Sequence, residues 1–123
     1  MKLKLAVVTL WAEDVHRTAD FYRDVLGLPL LMMDRGRPHF DLGGAYLVIL
    51  PGRPDKPEDY KRTRFPVLAF AVDNLETMVH QLKSQGVEMP WGVEEDSDSR
   101  WVMFNDPGRN LLEIAQFGYI HRG

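Results

Sequence analysis

The feature that most constrains this fold is an order of predicted elements that occurs twice along the 123 residues. Each half reads strand, helix, strand, strand, strand. Residues 7–14 match residues 67–74 at an offset of 60, and residues 41–43 match residues 106–108 at an offset of 65. A unit of this size cannot bury its sheet alone, so we expect the two copies to pair and close one core.

The first half opens with a strand over residues 5–11, which is rich in β-branched and bulky apolar side chains. Asp14 is a suitable N-cap for a helix that Gly27 ends. Apolar residues at helical spacing give this helix one buried face, formed by Val15, Ala19, Tyr22 and Leu26. Turn residues then separate three further predicted strands, at 28–33, 37–42 and 45–50.

The second half repeats this order after a charged, proline-rich connector. It contains a strand at 65–72, a helix that Asn74 caps and Gly86 ends, an extended stretch at 87–95, and strands at 100–104 and 111–117. We therefore predict a single α+β domain over residues 1–123, with module one at 1–52, the connector at 53–64, module two at 65–117 and a short tail at 118–123.

The composition excludes several classes of function. The 18 acidic and 15 basic residues give a formal net charge of −3, which lacks the positive field that nonspecific nucleic-acid binding needs. The chain has no cysteine, which excludes disulfides, thiolate nucleophiles and sulfur-ligated metals. Glu13 and Asp14 interrupt the apolar stretch near the N-terminus, and no run has the length of a membrane span. We expect a cytoplasmic protein that contacts neither nucleic acid nor membrane.

Two stretches of the sequence resemble a known superfamily. Residues 14–28 read Asp-Val-His-Arg-Thr-Ala-Asp-Phe-Tyr-Arg-Asp-Val-Leu-Gly-Leu. The Phe-Tyr pair and Leu-Gly-Leu are similar to the first-helix signature of the vicinal oxygen chelate superfamily, the glyoxalase, bleomycin-resistance and extradiol-dioxygenase group. Residues 104–114 look like that family's closing Asp-Pro-Asp-Gly-Asn-x-x-Glu pattern with the glycine displaced. The resemblance implies two paired β-α-β-β-β modules whose sheets curve into a cup, with the helices packed outside.

The alternation of side chains along each strand indicates which residues line the implied cup. Leu68, Phe70 and Val72 are large and apolar, as expected of a face that packs on a helix. The opposite face of this strand, and its equivalents by the repeat, give the predicted lining: Val67, Ala69, Ala71, Val7, Thr9, Trp11, Tyr46, Val48, Leu50, Leu111, Glu113 and Ala115.

The resemblance also raises the question of a metal. Metal-dependent members of the superfamily usually place His or Glu ligands on the first and last strands of each module, where they hold a divalent ion with open positions for substrate oxygens. The matching positions here are Val7, Val48, Val67 and Glu113. One carboxylate cannot hold a catalytic metal, and shifting the alignment of the valines by one residue supplies no other ligand. We therefore expect a protein without a metal or any other cofactor.

Five residues are candidate ligand contacts: Trp11, His39, Tyr46, Trp101 and Glu113. The three aromatic rings can stack on a planar ligand or can serve as core or interface packing. Glu113 stands among apolar residues, so it is either a pocket group for a ligand or a structural residue beside a hydrogen-bond donor. Burial should raise its pKa unless such a donor compensates. His39 is either a ligand contact or a rim residue, and the other three histidines are expected at the surface.

These features favour a metal-free binding protein for a small, partly aromatic molecule, similar to the drug-sequestering members of the superfamily, with no catalytic residue assigned. Two other classes stay open. One is a lyase, isomerase or dioxygenase-type enzyme that uses Glu113 with non-standard ligands, or Glu113 with His39 as acid and base. The other is a non-catalytic partner module. A half-open apolar cup would leave a patch in water, so we also expect a homodimer.

Overall fold

The computed structural model describes residues 2–52 and 66–118. Its elements follow the chain as β1 (Val7–Ala12), α1 (Val15–Asp20), a π-helical segment (Phe21–Val25), β2 (Leu30–Asp34), β3 (Arg37–Asp41), β4 (Tyr46–Pro51), β5 (Leu68–Ala71), α2 (Leu75–Ser84), β6 (Glu94–Glu95), β7 (Ser99–Asn105) and β8 (Leu111–Phe117). The predicted order of elements therefore occurs twice. The connector and the chain from residue 119 lie outside the described residues.

The strands form two four-stranded mixed sheets, which makes the chain an α+β protein of two β-α-β-β-β modules, as predicted. The first sheet has the order β1-β4-β3-β2, and the second has the order β5-β8-β7-β6. In each sheet the first strand runs parallel to the last one of its module. Thr9 pairs with Val48 and Ala69 pairs with Glu113, so the registers repeat at the offsets of 60 and 65 residues expected from the sequence.

Backbone packing divides the described residues into two compact units. The first unit contains residues 2–52 together with residues 107–110, and the second contains residues 66–106 and 111–118. The loop that joins β7 to β8 is therefore part of the first unit, although both strands belong to the second.

The helical segment of the first unit begins and ends where the sequence predicts, but its last part is a π-helix. The Asp14 carboxylate accepts a hydrogen bond of 3.0 Å from the Arg17 backbone N–H, which satisfies one free donor of the first turn. After α1 the chain continues as a π-helix, in which the Leu26 N–H donates to the Phe21 carbonyl at 3.2 Å. Gly27, with φ of 70°, then ends the helical segment as predicted.

The buried side of this helical segment packs on the first sheet. Ala19 and Tyr22 are buried as predicted, and the Tyr22 ring lies 6.0 Å from the ring of Phe40 on β3. Thr18 is buried as well. Val15 and Leu26, the other two residues of the predicted face, are only half-buried. The π-helical turn lies directly before Leu26 and interrupts the regular period of 3.6 residues there.

The helix of the second unit follows the prediction closely. The Asn74 side chain accepts a hydrogen bond of 3.0 Å from the Thr77 N–H, so Asn74 is the N-cap. The Leu75 N–H donates to the side-chain carbonyl of Gln116 on β8 at 2.8 Å, which ties the start of α2 to its sheet. Leu75 and Leu82 are fully buried. No helix in the described residues is long and apolar enough to cross a membrane.

The stretch predicted to be extended at residues 87–95 is mostly irregular. Only its last two residues, Glu94 and Glu95, form a strand, and they pair with β7. Gly92 has φ of 64°, and its N–H donates to the Met89 carbonyl at 3.0 Å, so a turn interrupts the stretch. The prediction of an extended stretch is therefore wrong for most of this segment, because Gly92 adopts a positive φ and forms a turn.

Side chains alternate along the strands, so each sheet has one face toward its helix and an opposite face, here called the open face, although Val48, Met103, Leu111 and Ala115 on it are themselves buried. On β1, Leu10 and Ala12 are buried, whereas Val7, Thr9 and Trp11 are exposed. The pairing registers extend this division across both sheets. The open face comprises Val7, Thr9, Trp11, Met32, His39, Asp41, Tyr46, Val48 and Leu50 in the first sheet, and Ala69, Ala71, Glu94, Trp101, Met103, Asn105, Leu111, Glu113 and Ala115 in the second. The residues predicted to line the inner faces lie here, except Val67, which precedes β5.

The loop at residues 107–110 explains why the glycine of the closing motif is displaced. The Asn110 side-chain amide donates to the Trp11 carbonyl at 3.1 Å, so the loop lies against the end of β1. A Cβ on Gly108 would lie 2.9 Å from both the Trp11 carbonyl oxygen and the Ala12 Cβ, which only glycine avoids. Arg109 has φ of 69°, in the left-handed region that favours glycine. The glycine therefore permits the close approach and leaves an arginine in a strained backbone conformation.

We expect Gly108→Ala and Arg109→Gly to change stability in opposite directions. The added methyl group of Gly108→Ala overpacks the end of β1 and should lower the free energy of unfolding by about 1–3 kcal/mol. Arg109→Gly removes the left-handed strain, which the extra entropy of the unfolded chain partly offsets, and should raise it by about 0.5–1 kcal/mol. Urea unfolding followed by circular dichroism measures both changes. A loss of stability in both variants would contradict this account of the loop.

Candidate functional site

The open face of the second sheet brings Glu113 beside small side chains. Glu113 on β8 lies between Ala69 of β5 and Met103 of β7. Two residues further along both strands, Ala115 pairs with Ala71 of β5. Ala69 and Ala71 are exposed, so the sheet surface on this side of Glu113 is accessible and is not covered by large side chains.

The carboxyl group of Glu113 has an unfavourable environment for its charge. Its pKa is raised above the ordinary glutamate value of 4.5, chiefly because partial burial removes hydration. The carboxylates of Glu94 and Asp96 raise the pKa further through like-charge repulsion. The direction agrees with the prediction from the sequence, but the two acidic neighbours were not predicted. They come close through the short strand β6 and the turn after it, a segment whose path the sequence pattern did not reveal.

Trp101 shares this face with Glu113. It lies on β7 directly across from Glu94 on one side and from Ala115 on the other. Trp101 and Glu113 are therefore diagonal neighbours on adjacent strands, a relation that separates backbone positions by about 7–8 Å. Both side chains are half-buried. Two of the five predicted contact residues thus lie together on one open face.

The other three predicted contact residues, Trp11, His39 and Tyr46, share the open face of the first sheet. His39 on β3 lies across from Val48, and its ring is half-buried. The Nδ1–H of His39 donates to the Arg37 carbonyl at 2.8 Å, since a carbonyl oxygen can only accept. The Nε2 atom is then the ring nitrogen available to a ligand.

Trp11 and Tyr46 lie at opposite ends of that face. Tyr46 pairs with Val7 near the start of β1, whereas Trp11 pairs with Leu50 near its end. The distance from Tyr46 to Leu50 along β4 corresponds to about 13 Å at the usual rise of a strand. Trp11 and Tyr46 are therefore too far apart for both of their rings to stack on the same ring of a small ligand.

The positions that the resemblance assigned to metal ligands do not form a metal site. Val7 and Val48 lie on the open face of the first sheet, and Glu113 lies on that of the second. Aliphatic side chains offer no electron pair to an ion. Within residues 2–52 and 66–118, no three His, Asp or Glu side chains are grouped closely enough to hold a metal. The donor set therefore does not fit a divalent cation.

The remaining histidines and two surface cavities lie away from the open sheet faces in the part of the chain that the structure describes. His16 on α1 and His80 on α2 are exposed, as predicted, and His121 lies outside the described residues. Two surface cavities of about 190 Å³ lie beside the helices. One is lined by Glu13, Asp14, Arg17, Pro107, Gly108 and Arg109, and the other by Leu75, Glu76, Val79, His80, Lys83 and Val93. Neither includes a residue of the open sheet faces.

Charged groups in both cavities have structural roles. The Asp14 carboxylate caps α1, and Glu76 forms an ion pair with Arg100 of β7. The open sheet faces remain the better candidate site because they combine accessible aromatic rings with a carboxyl group of perturbed pKa.

Comparison with known proteins supports a specific family. The sequence pattern of the Glyoxalase/Bleomycin resistance protein/Dioxygenase superfamily matches residues 4–114. Metallothiol transferase FosB of Staphylococcus haemolyticus is 26% identical over 110 residues, which cover 87% of this chain and 78% of that protein.

Solved structures share the fold over nearly the whole chain. TnmS3, an antibiotic binding protein from Streptomyces sp. CB03234, matches with a TM-score of 0.76 and 21% identity, covering 94% of this chain and 97% of that one. Lactoylglutathione lyase from Agrobacterium tumefaciens matches with a TM-score of 0.72 and 19% identity, covering 94% and 95%. At these identities the similarity establishes the fold alone.

We expect the stability of Glu113→Gln relative to the wild type to increase with pH. The raised pKa means that the folded protein retains this proton to higher pH than the unfolded chain, so ionisation of Glu113 destabilises the fold as pH rises through the raised pKa. Glutamine does not ionise. The melting temperature of Glu113→Gln minus that of the wild type should therefore become more positive as the pH rises from the ordinary glutamate value through the raised pKa, and then level off.

Glu76→Gln is the control of opposite sign. Hydrogen bonds from its own backbone N–H and from Arg100 lower the pKa of Glu76, so its ionised form stabilises the fold and the variant should lose relative stability as pH rises. The same trend in both variants would contradict the assigned environment of Glu113.

Proposed function

The chain belongs to the glyoxalase, bleomycin resistance protein and dioxygenase superfamily, and we propose that it is a metal-free binding protein for a small, partly aromatic molecule. The observation that carries this proposal is the setting of Glu113. It occupies an open sheet face next to Trp101, Met103 and short alanine side chains. Its counterpart in the register of the first sheet is Val48, which cannot ligate a metal.

A partly buried carboxyl group beside apolar side chains suits ligand recognition. When ionised, it accepts charge-assisted hydrogen bonds, which are shorter and stronger than neutral ones. Glu94 and Asp96 make that ionised form costly, and a bound N–H donor or cation would offset the cost. We propose that the ligand presents such a group beside an apolar or aromatic body.

The similar proteins include a binding protein and an enzyme. TnmS3 is described as an antibiotic binding protein, whereas FosB is a metallothiol transferase, a name that refers to a metal. Valine stands at three of the four positions that the resemblance assigned to metal ligands, namely Val7, Val48 and Val67. This difference in donor atoms supports a role among the binding proteins.

Five residues are proposed as ligand contacts, each on the open face of its own sheet. Glu113 is the polar anchor of the second sheet, and Trp101 is the aromatic surface beside it. On the first sheet, Trp11 and Tyr46 offer exposed rings, and His39 offers its Nε2 atom.

The proposal extends to assembly and location. The side chains of Val7, Trp11 and Tyr46 are about half exposed, and a homodimer would remove such apolar surface from water. We propose a cytoplasmic homodimer of one-domain chains, with module one at 1–52 and module two at 65–117.

A metal-free acid/base enzyme is the second candidate function, and the raised pKa of Glu113 favours it. A carboxyl group that keeps its proton nearer to neutral pH can transfer that proton to or from a bound substrate. In that case Glu113→Gln would abolish turnover of the bound molecule. A binding protein would return the molecule chemically unchanged, which mass spectrometry after prolonged incubation distinguishes.

We expect the purified protein to contain no stoichiometric divalent metal. Since valine replaces the ligands, nickel, zinc, manganese and Fe(II) salts should leave its melting temperature unchanged. Elemental analysis and melting curves measure the two effects. One metal ion per chain, lost in Glu113→Gln, would overturn the binding-protein proposal in favour of metal-dependent chemistry.

Glu113→Gln should weaken the binding of a ligand found by screening by on the order of 1–3 kcal/mol, because the charge-assisted hydrogen bond is lost. Its stability near neutral pH should change little or rise, because the volume is kept while a poorly hydrated charge disappears. Calorimetric titration and melting temperature measure these quantities, and Glu88→Gln, at an exposed site, is the matched control. Unchanged affinity with a large loss of stability would show that Glu113 is a structural residue.

A further inference from the structure

The indole ring of Trp11 lies directly against the backbone of Gly52, just after β4. A Cβ on Gly52 would lie 2.7 Å from Cε3 and 3.4 Å from Cδ2 of the indole. Real Cβ atoms do not approach another heavy atom to 2.7 Å, so the ring occupies the space that any other side chain at this position would need. The Gly52 N–H donates to the Ala12 carbonyl at 3.0 Å, which holds this part of the backbone beside the end of β1.

The backbone of Trp11 also contacts the loop at residues 107–110. Its carbonyl accepts the hydrogen bond from the Asn110 side chain, and Gly108 approaches the same carbonyl so closely that a Cβ there would lie 2.9 Å away. The next residue, Ala12, is almost fully buried. Trp11 thus has its ring packed on one glycine and its peptide unit packed against another.

The indole ring of Trp11 is nevertheless accessible. Trp11 remains 53% exposed although one side of its indole contacts Gly52. It lies on the open face of the first sheet, where its cross-strand neighbour is Leu50. An exposed tryptophan leaves a large apolar surface in water, and here the backbone of Gly52 contacts one side of the ring while the loop at Gly108 packs against the Trp11 carbonyl.

We propose that Trp11 is a preorganised stacking platform for a planar, electron-poor or positively charged ring, and that Gly52 is the residue that positions it. This inference rests on the proposed binding function and specifies the chemical class of the ligand. The face of an indole carries negative partial charge, which favours offset stacking with flat rings and attracts cations. Because the Gly52 backbone restricts the indole on one side, the ring has less conformational entropy to lose when a ligand stacks on its other side, so more of the contact energy appears as affinity.

The test uses the full-length protein labelled with 15N and the flat, cationic dye proflavine as the probe. The indole Nε1–H signal of Trp11 is identified by its absence from the spectrum of Trp11→Phe. Proflavine should shift this signal, and cyclohexylamine, a cation without a planar ring, should not. Gly52→Ala should move the indole from its place and weaken proflavine binding about fivefold, the scale of one aromatic contact.

Trp11→Ala and Leu31→Ala complete the set of variants. Trp11→Ala should weaken proflavine binding at least as much as Gly52→Ala, and it keeps the inference testable if Gly52→Ala does not fold. Leu31→Ala removes another exposed apolar side chain from the same sheet and should leave the affinity unchanged. Melting temperatures show whether any loss of affinity reflects unfolding.

The possible results lead to different conclusions about Trp11 and about the proposed binding function. A Trp11 signal that does not respond to proflavine, or equal affinity in wild type, Gly52→Ala and Trp11→Ala, would overturn the inference. If proflavine then shifts only the Trp101 signal, the proposed binding function stands without the Trp11 platform. An equal shift of the Trp11 signal by cyclohexylamine would show that planarity is not what the site selects, and would overturn the inference as well.

Discussion

The packing of one apolar face of each sheet on its helix is the interaction on which the rest of this structure depends. In the first unit, Tyr22 packs on Phe40, and Leu10 and Ala12 are buried on the same side of the sheet. Because side chains alternate strictly along a strand, this burial determines the direction of every other side chain in the paired strands. The open faces, and all five candidate contact residues on them, are consequences of that packing.

The placement of Glu113 shows how this constraint shapes chemistry. A slip of one residue in the register of β8 would direct the carboxylate toward α2, where burial without a partner would be far more costly. On the open face the group is only half-buried, yet loss of hydration and two acidic neighbours still raise its pKa. The same fold serves several reactions within its superfamily, so the side chains at such positions decide function more than the architecture does.

The end of β1 shows how glycines permit close packing around one residue. Two glycines, Gly52 and Gly108, allow backbone and ring atoms to approach Trp11 more closely than any Cβ permits. Arg109, the residue after Gly108, is strained because its backbone adopts the left-handed conformation that favours glycine. Trp11 nevertheless leaves about half of its surface in water, on the open face of the first sheet.

The sequence by itself determined the order of elements, both helix N-caps, the glycines that end the helices and the alternation that separates the two faces of each sheet. These features depend on neighbours a few residues apart, so local patterns suffice to predict them. The tertiary structure alone decided the π-helical turn before Leu26, the turn at Gly92 and the approach of Glu94 and Asp96 to Glu113. It also decided the contact of Gly52 with the Trp11 ring. The first two are local hydrogen-bonded turns that the apolar period does not reveal. The other two depend on strand pairing or close packing between residues distant along the chain, and such contacts leave no periodic signal in the sequence.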